Sequence, residues 1–139
     1  MFNKISLFLI AALTLVLSFT GFGQSRKKDE QIRKLKIEFV TQQMSLTQQQ
    51  AQKFLPLYNR YSDELLVHRF AIKDLEKNPD SKFQVEERQR LEQKMVEIKG
   101  TYKNDFLKVI TAQQLAAMYK AEREFKKVLL NYLETKKHQ

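Results

Sequence analysis

Apolar residues recur every three or four positions through four long stretches of this chain, and that spacing predicts four helices. The first helix covers about residues 27–43, and two apolar stripes run side by side along it. One stripe consists of Ile32, Leu35 and Phe39, and the other of Ile37, Val40 and Met44. A helix with such a broad apolar face contacts two neighbours or leaves one stripe for a partner.

The second stretch, from about Thr47 to Glu76, carries one continuous apolar seam in steps of four and three. Such a seam is typical of a helix packed lengthwise against another helix. Pro56 lies inside this stretch and cannot donate a hydrogen bond to Gln52, so we expect a bend there. The seam consists of Phe54, Tyr58, Tyr61, Leu65, His68, Ile72 and Leu75.

A loop with the sequence Lys-Asn-Pro-Asp at residues 77–80 separates this helix from a third, predicted at about residues 82–109. Because the loop is short, we expect the second and third helices to form an antiparallel hairpin. A fourth helix is predicted to begin at Thr111. The seam of the third helix is Leu91, Met95, Ile98, Tyr102 and Phe106, and that of the fourth is Leu115, Met118, Tyr119, Leu129 and Leu133.

Two copies of a short helix-capping pattern stand 64 positions apart. In the first copy, Leu46-Thr47-Gln48-Gln49-Gln50, the Thr47 hydroxyl can accept from the Gln50 backbone N–H while the Gln50 side chain reaches back. This capping box satisfies two N–H groups that a helix start leaves unpaired. Thr111 and Gln114 can do the same after Ile110, and Ser81 with Gln84 is a plausible third box. Any single box indicates a helix start and nothing more.

The composition agrees with a helical protein. Only three glycines and two prolines occur among the 139 residues, and there is no cysteine. Scarce helix breakers favour a nearly all-helical fold. Since no disulfide is available, packing alone must hold the fold together.

Residues 1–23 are predicted to be a signal peptide. Lys4 supplies a positive charge, an apolar run extends from Ile5 to Phe19, and Gly21-Phe22-Gly23 offers small residues for cleavage. We expect cleavage after Gly23, leaving residues 24–139 as one helical domain in the periplasm. An uncleaved anchor is the alternative, although the run is short for a span of about 20 residues.

The net charge of the chain is +9, and the part after Gly23 retains +8 because Lys4 is lost. A basic protein often binds nucleic acid, but export argues against that partner. Acidic lipid headgroups, cell-envelope polyanions and acidic stretches of unfolded proteins remain as partners. The simplest interpretation is a well-solvated surface.

The doubled Leu-Thr-x-x-Gln pattern, the export signal and the four helices resemble the Spy/CpxP-like bacterial periplasmic proteins. The second copy departs from the pattern by having Ile110 in place of leucine. The resemblance implies an all-helical, cradle-shaped, antiparallel homodimer that holds unfolded clients without ATP. Relatives in that family act on a membrane stress sensor, and others respond to zinc or nickel. The motif residues have a structural role there, which implies the same for Leu46, Thr47, Gln50, Ile110, Thr111 and Gln114.

Few residues here could carry catalysis or bind a metal. His68 follows Glu64 by one helical turn, which provides two ligands where zinc needs at least three. The other histidine, His138, lies in the tail. We therefore expect no enzymatic activity, no metal and no cofactor. Glu122 lies on the apolar face of the fourth helix, where we expect it to pair with a basic residue.

Apolar residues outside the main seams are the better functional candidates, because exposed apolar patches mark interfaces. They are Ile37, Val40, Leu55, Leu66, Phe70, Val96 and Leu107. They either pack within the monomer or a homodimer, or line a surface for unfolded or envelope proteins. The expected function is a periplasmic ATP-independent chaperone or stress adaptor. The alternative is a regulatory sensor, responsive to metal or stress, that acts on a membrane sensor or an anti-sigma system.

Overall fold

A computed structural model describes residues 25–77 and 83–137, and these ranges form four α-helices and no strand. The helices are α1 (Ser25–Met44), α2 (Gln48–Glu76), α3 (Phe83–Leu107) and α4 (Ala112–Lys137). The all-α prediction is confirmed, and the predicted helix ends agree with the observed ones to within about two residues. The predicted signal peptide, the cap at Ser81 and the residues after Lys137 lie outside the described ranges.

None of the helices in those two ranges is long and apolar enough to cross a membrane. The chain divides into two compact units. The first unit comprises the described residues up to Leu46 together with those from Ala116 onwards, and the second is Thr47–Leu115. Each unit contains its own buried apolar residues.

The second unit is built on the pairing of α2 with α3. Five aromatic rings form its centre, with centroids between 5.2 and 6.4 Å apart. They belong to Phe54, Tyr58, Tyr61, Tyr102 and Phe106. Aromatic pairs at such spacings contribute about 0.5–1.5 kcal/mol each beyond their buried area. These rings come from the two predicted seams, which therefore face each other. The far end of the α2 seam is only half-buried.

In the first unit, α1 contacts α4 through long side chains. The rings of Phe39 and Phe125 lie 5.9 Å apart, and the Lys36 ammonium lies 3.2 Å from the Glu122 carboxylate. Glu122 therefore has the basic partner that its apolar surroundings require. Burial, with a smaller effect from the Glu122 carboxylate, raises the pKa of Tyr119.

Two residues with helix-breaking tendencies lie inside helices. Pro56 is exposed on α2, which continues through it to Glu76. Gly100 is exposed on α3, where an added Cβ would meet no atom within 4 Å. By contrast, Ser45 ends α1 in the left-handed region, with φ at 49°, a conformation that usually selects glycine.

Candidate functional surface

Both predicted capping boxes are present. At the start of α2, the Gln50 backbone N–H donates to Thr47 Oγ1 and the Thr47 N–H donates to Gln50 Oε1, both at 3.1 Å. At the start of α4, the Gln114 N–H donates to Thr111 Oγ1 at 3.1 Å and the Thr111 N–H to Gln114 Oε1 at 3.0 Å. The two helix starts are therefore each closed by the same pair of hydrogen bonds.

The two boxes are also joined to each other. Gln50 Nε2 donates to Gln114 Oε1 at 2.9 Å, and Gln114 Nε2 donates to Gln50 Oε1 at 3.0 Å. Each glutamine oxygen thus accepts from a backbone N–H of its own box and from the amide of the other. Sequence reasoning missed this contact. The repeated threonine–glutamine spacing was the available signal, because identical motifs can present matching amides to each other.

A second polar contact within the second unit lies beside the aromatic centre. Tyr102 Oη on α3 donates to Glu64 Oε1 on α2 at 2.5 Å. Burial, and next the hydrogen bond to the Glu64 carboxylate, raise the pKa of Tyr102 to about 12. The contact gives the polar end of a buried aromatic ring an acceptor and holds α2 and α3 at one register.

The same contact bears on metal binding. The Glu64 carboxylate is engaged by Tyr102, and His68 Nδ1 is directed to the Glu64 backbone carbonyl oxygen, 2.8 Å away. Across residues 25–77 and 83–137, no group of three or more histidine, cysteine, aspartate or glutamate side chains is arranged to hold a metal ion. The contact between His68 Nδ1 and the Glu64 carbonyl oxygen lies within α2 and stabilises that helix.

The seven apolar candidate residues fall into three classes of exposure. Val40 is fully buried, at 0% exposure, so its assignment to an accessible surface is corrected. Of the two stripes on α1, the one carrying Val40 and Met44 is covered, together with Phe39. Ile37, Leu55 and Leu66 are half-buried. Phe70, Val96 and Leu107 are exposed, and Val96 most strongly at 68%.

Further exposed apolar side chains extend this set within the second unit. Val85 is 75% exposed, and it precedes Val96 by eleven residues, as Val96 precedes Leu107. Eleven residues are close to three helical turns, so the three side chains share one side of α3. We call Val85, Val96 and Leu107 the α3 apolar stripe. Val67, Phe70 and Phe83 are also exposed. The eleven-residue spacing was the signal in the sequence that would have added Val85.

Three of the five basic residues on α3 form ion pairs. Arg88 reaches Glu76 and Glu92, Arg90 pairs with Glu87, and Lys94 pairs with Glu97. The numbers of basic and acidic residues are equal on each of the two helices, with four of each on α2 and five of each on α3. Exposed pairs of this kind contribute little to stability. Because the charges of α3 sum to zero, the α3 apolar stripe lies on a helix without net charge.

Comparisons with protein-family models, curated proteins and solved structures found no match to this chain.

Proposed function

We propose that the protein is a periplasmic, ATP-independent chaperone or envelope-stress adaptor that holds unfolded proteins by weak apolar contact. The observation that carries this proposal is the α3 apolar stripe, whose three side chains are 44–75% exposed. Solvent-exposed valine and leucine on one side of a helix favour association with other apolar surfaces. Binding of apolar segments is the activity that the exposed side chains of the α3 apolar stripe support.

Weak binding follows from the size of the contact. Burying an exposed valine or leucine side chain contributes roughly 1.5–3 kcal/mol at most, and ordering the partner opposes that gain. Three such side chains, spread over about six turns of helix, therefore hold a partner loosely. A loosely held client can dissociate and fold, which suits a chaperone that uses no ATP.

We further propose that the working form is a homodimer, because exposed apolar residues outside the α3 apolar stripe, Val67 and Phe70 on α2, can pack against a second copy and leave the stripe free for clients. The equal numbers of basic and acidic residues on α2 favour this contact, since the helix itself adds no net repulsion between the copies. Multi-angle light scattering of the purified protein measures the mass directly. A mass of one chain over the concentration range of the activity contradicts this part of the proposal.

The test of the main proposal is suppression of aggregation. Chemically unfolded model enzymes are diluted with and without a molar excess of the protein, without ATP, and light scattering is followed. We expect suppression by the wild type and its loss in the triple variant Val85→Gln, Val96→Gln, Leu107→Gln. Because these side chains are exposed, the variant should keep its fold, which circular dichroism checks.

A matched control separates this surface from general hydrophobicity. Leu107 and Leu130 are similarly exposed, at 44% and 47%, but lie on α3 and α4. Leu107→Gln should weaken suppression and Leu130→Gln should not. Absence of suppression by the wild type, with one envelope protein bound stoichiometrically instead, favours the regulatory role over the chaperone role.

A further inference from the structure

The excess positive charge of the chain is concentrated in the first unit. Both α1 and α4 carry six basic and three acidic residues, a net charge of +3 each, whereas α2 and α3 are balanced. All the charged residues of α4 follow Ala116 and so belong to the first unit with α1. The charge of +9 is therefore unevenly distributed along the chain.

Three cations of α4 lie within five residues of one another on a helix with a net charge of +3. Arg123, Lys126 and Lys127 are exposed, and none forms an ion pair within the part of the chain that the structure describes. Their neighbour Lys120 does pair with Glu124. An unpaired cation keeps its full attraction for an external anion, whereas a paired one is largely neutralised.

These cations share one side of α4 with two leucines. At 100° per residue, Arg123, Lys126, Leu130 and Leu133 fall within one strip, with Lys127 at its edge. One exposed acidic residue, Glu134, falls in the same strip near its end. The leucines are 47% and 37% exposed. The strip lies beside the face of α4 that is already buried, which carries Met118, Ala121 and Phe125. We call Arg123, Lys126, Lys127, Leu130 and Leu133 the α4 cationic strip.

We propose that the α4 cationic strip docks the protein on the headgroups of an anionic phospholipid surface. Charge complementarity selects this partner, because three exposed cations on one side of a helix match a flat, dense array of phosphates. Leu130 and Leu133 follow the cations on the same side of the helix and can enter the apolar boundary of the bilayer, and the lysine stems can lie along that boundary. An acidic polypeptide offers the charge but no apolar layer at a constant depth. The binding is peripheral and reversible.

The size of the effect follows from the number of cations. Each lysine or arginine close to an anionic membrane strengthens binding roughly fivefold. Removing three of them should weaken binding on the order of 100-fold. The attraction should also decline as salt is added, because exposed charges are screened over about 10 Å at 0.1 M ionic strength.

The experiment is co-sedimentation of the exported, purified protein with two kinds of vesicle: phosphatidylcholine alone, and equal parts of phosphatidylcholine and phosphatidylglycerol. Arg123→Gln, Lys126→Gln, Lys127→Gln is the test variant. The matched control is Lys94→Gln, Lys99→Gln, Lys103→Gln on α3, which removes the same charge from exposed positions. All the proteins share one amino terminus, so any contribution from residues 5–19 is common to them.

Binding of the wild type to anionic but not neutral vesicles, a loss on the order of 100-fold in the α4 variant and near-wild-type binding of the control support the proposal. Leu130→Gln should weaken binding by a smaller factor. Three results overturn the proposal of membrane docking. They are no binding to anionic vesicles, equal losses in both triple variants, and complete displacement by soluble polyglutamate. The last result would assign the α4 cationic strip to acidic proteins. Suppression of aggregation is measured separately through the α3 apolar stripe, so either proposal can fail alone.

Discussion

The side-chain amides of Gln50 and Gln114, which are 64 positions apart, donate to each other while each also closes the capping box at its own helix start. Both side chains are half-buried. Gln50 and Gln114 make the same set of hydrogen bonds. Each amide oxygen accepts two of them, and each amide NH₂ donates one to the other glutamine. A repeated local motif has thereby become a long-range contact within the second unit.

Replacing either glutamine should destabilise the protein by more than replacing a residue that only caps one helix. Gln50→Ala leaves the Thr47 N–H and the Gln114 amide without their partner, and we expect a loss of about 2 kcal/mol in the free energy of unfolding. Urea unfolding followed by circular dichroism measures it. Gln49→Ala, at an exposed neighbouring position, is the control and should change stability by less than about 0.5 kcal/mol.

The coupling between the two motifs is tested by a double-mutant cycle with Gln114→Ala. Because the second substitution breaks a contact that the first has already broken, the double variant should lose less stability than the two single losses added together. We expect the difference to be about 1 kcal/mol. Strict additivity would contradict an energetic link between the two helix starts.

The hydrogen bond from Tyr102 to Glu64 predicts a stability change at high pH. The pKa of Tyr102 is raised to about 12 in the folded protein, against about 10 for an unperturbed tyrosine. The folded state therefore retains the proton more tightly, and this contribution is present below pH 10 and is lost as the pH rises towards 12. Tyr102→Phe should lower stability by about 1–2 kcal/mol near neutral pH.

The measurement is unfolding by urea for wild type and Tyr102→Phe between pH 8 and pH 12, an interval set by the two pKa values. Other tyrosines and the lysines titrate in both proteins, so only the difference between the two curves reports Tyr102. That difference should shrink as the pH rises from about 10. A difference that is constant over the interval would mean that the phenol proton contributes nothing to folding.

The predictable features are those that depend on neighbours in the sequence. The apolar seams lie at helical spacing, and the two threonines mark helix starts, because these preferences act over three or four residues. The contact between Gln50 and Gln114 depends on how two helix starts meet, which local patterns do not encode. Val40 was misassigned for the same reason, since either stripe on α1 could have been the covered one. The acidic residue on the apolar face of α4 indicated a basic partner, but not which one.

Gly100 offers a stabilising substitution. It lies inside α3 with ordinary backbone geometry, and an added methyl group would meet no atom within 4 Å. Gly100→Ala should raise the free energy of unfolding by about 0.5–1 kcal/mol, because alanine restricts the unfolded chain and favours the helix. Thermal unfolding checks this value. A lower midpoint than the wild type would indicate that a second chain or another contact occupies the space beside Gly100.

The ion pair between Lys36 and Glu122 should contribute to stability, because removing one charge weakens the compensation of the other in a largely buried place. The side chains are only 18% and 14% exposed, and the Nζ–Oε1 distance is 3.2 Å. Lys36→Met removes one cationic partner of the largely buried Glu122 carboxylate, so we expect a loss of about 2 kcal/mol in stability. The double variant Lys36→Met, Glu122→Met removes both charges and should recover most of that loss.

An exposed pair provides the comparison for this last prediction. Lys94 and Glu97 on α3 also lie 3.2 Å apart, but both side chains are more than half exposed. Lys94→Met should change stability by no more than about 0.5 kcal/mol, because water solvates the remaining carboxylate. Urea unfolding of these three variants and of Glu122→Met at neutral pH measures the losses. If the double variant is as unstable as the sum of its single substitutions, the two charges are stabilised independently and their proximity is incidental.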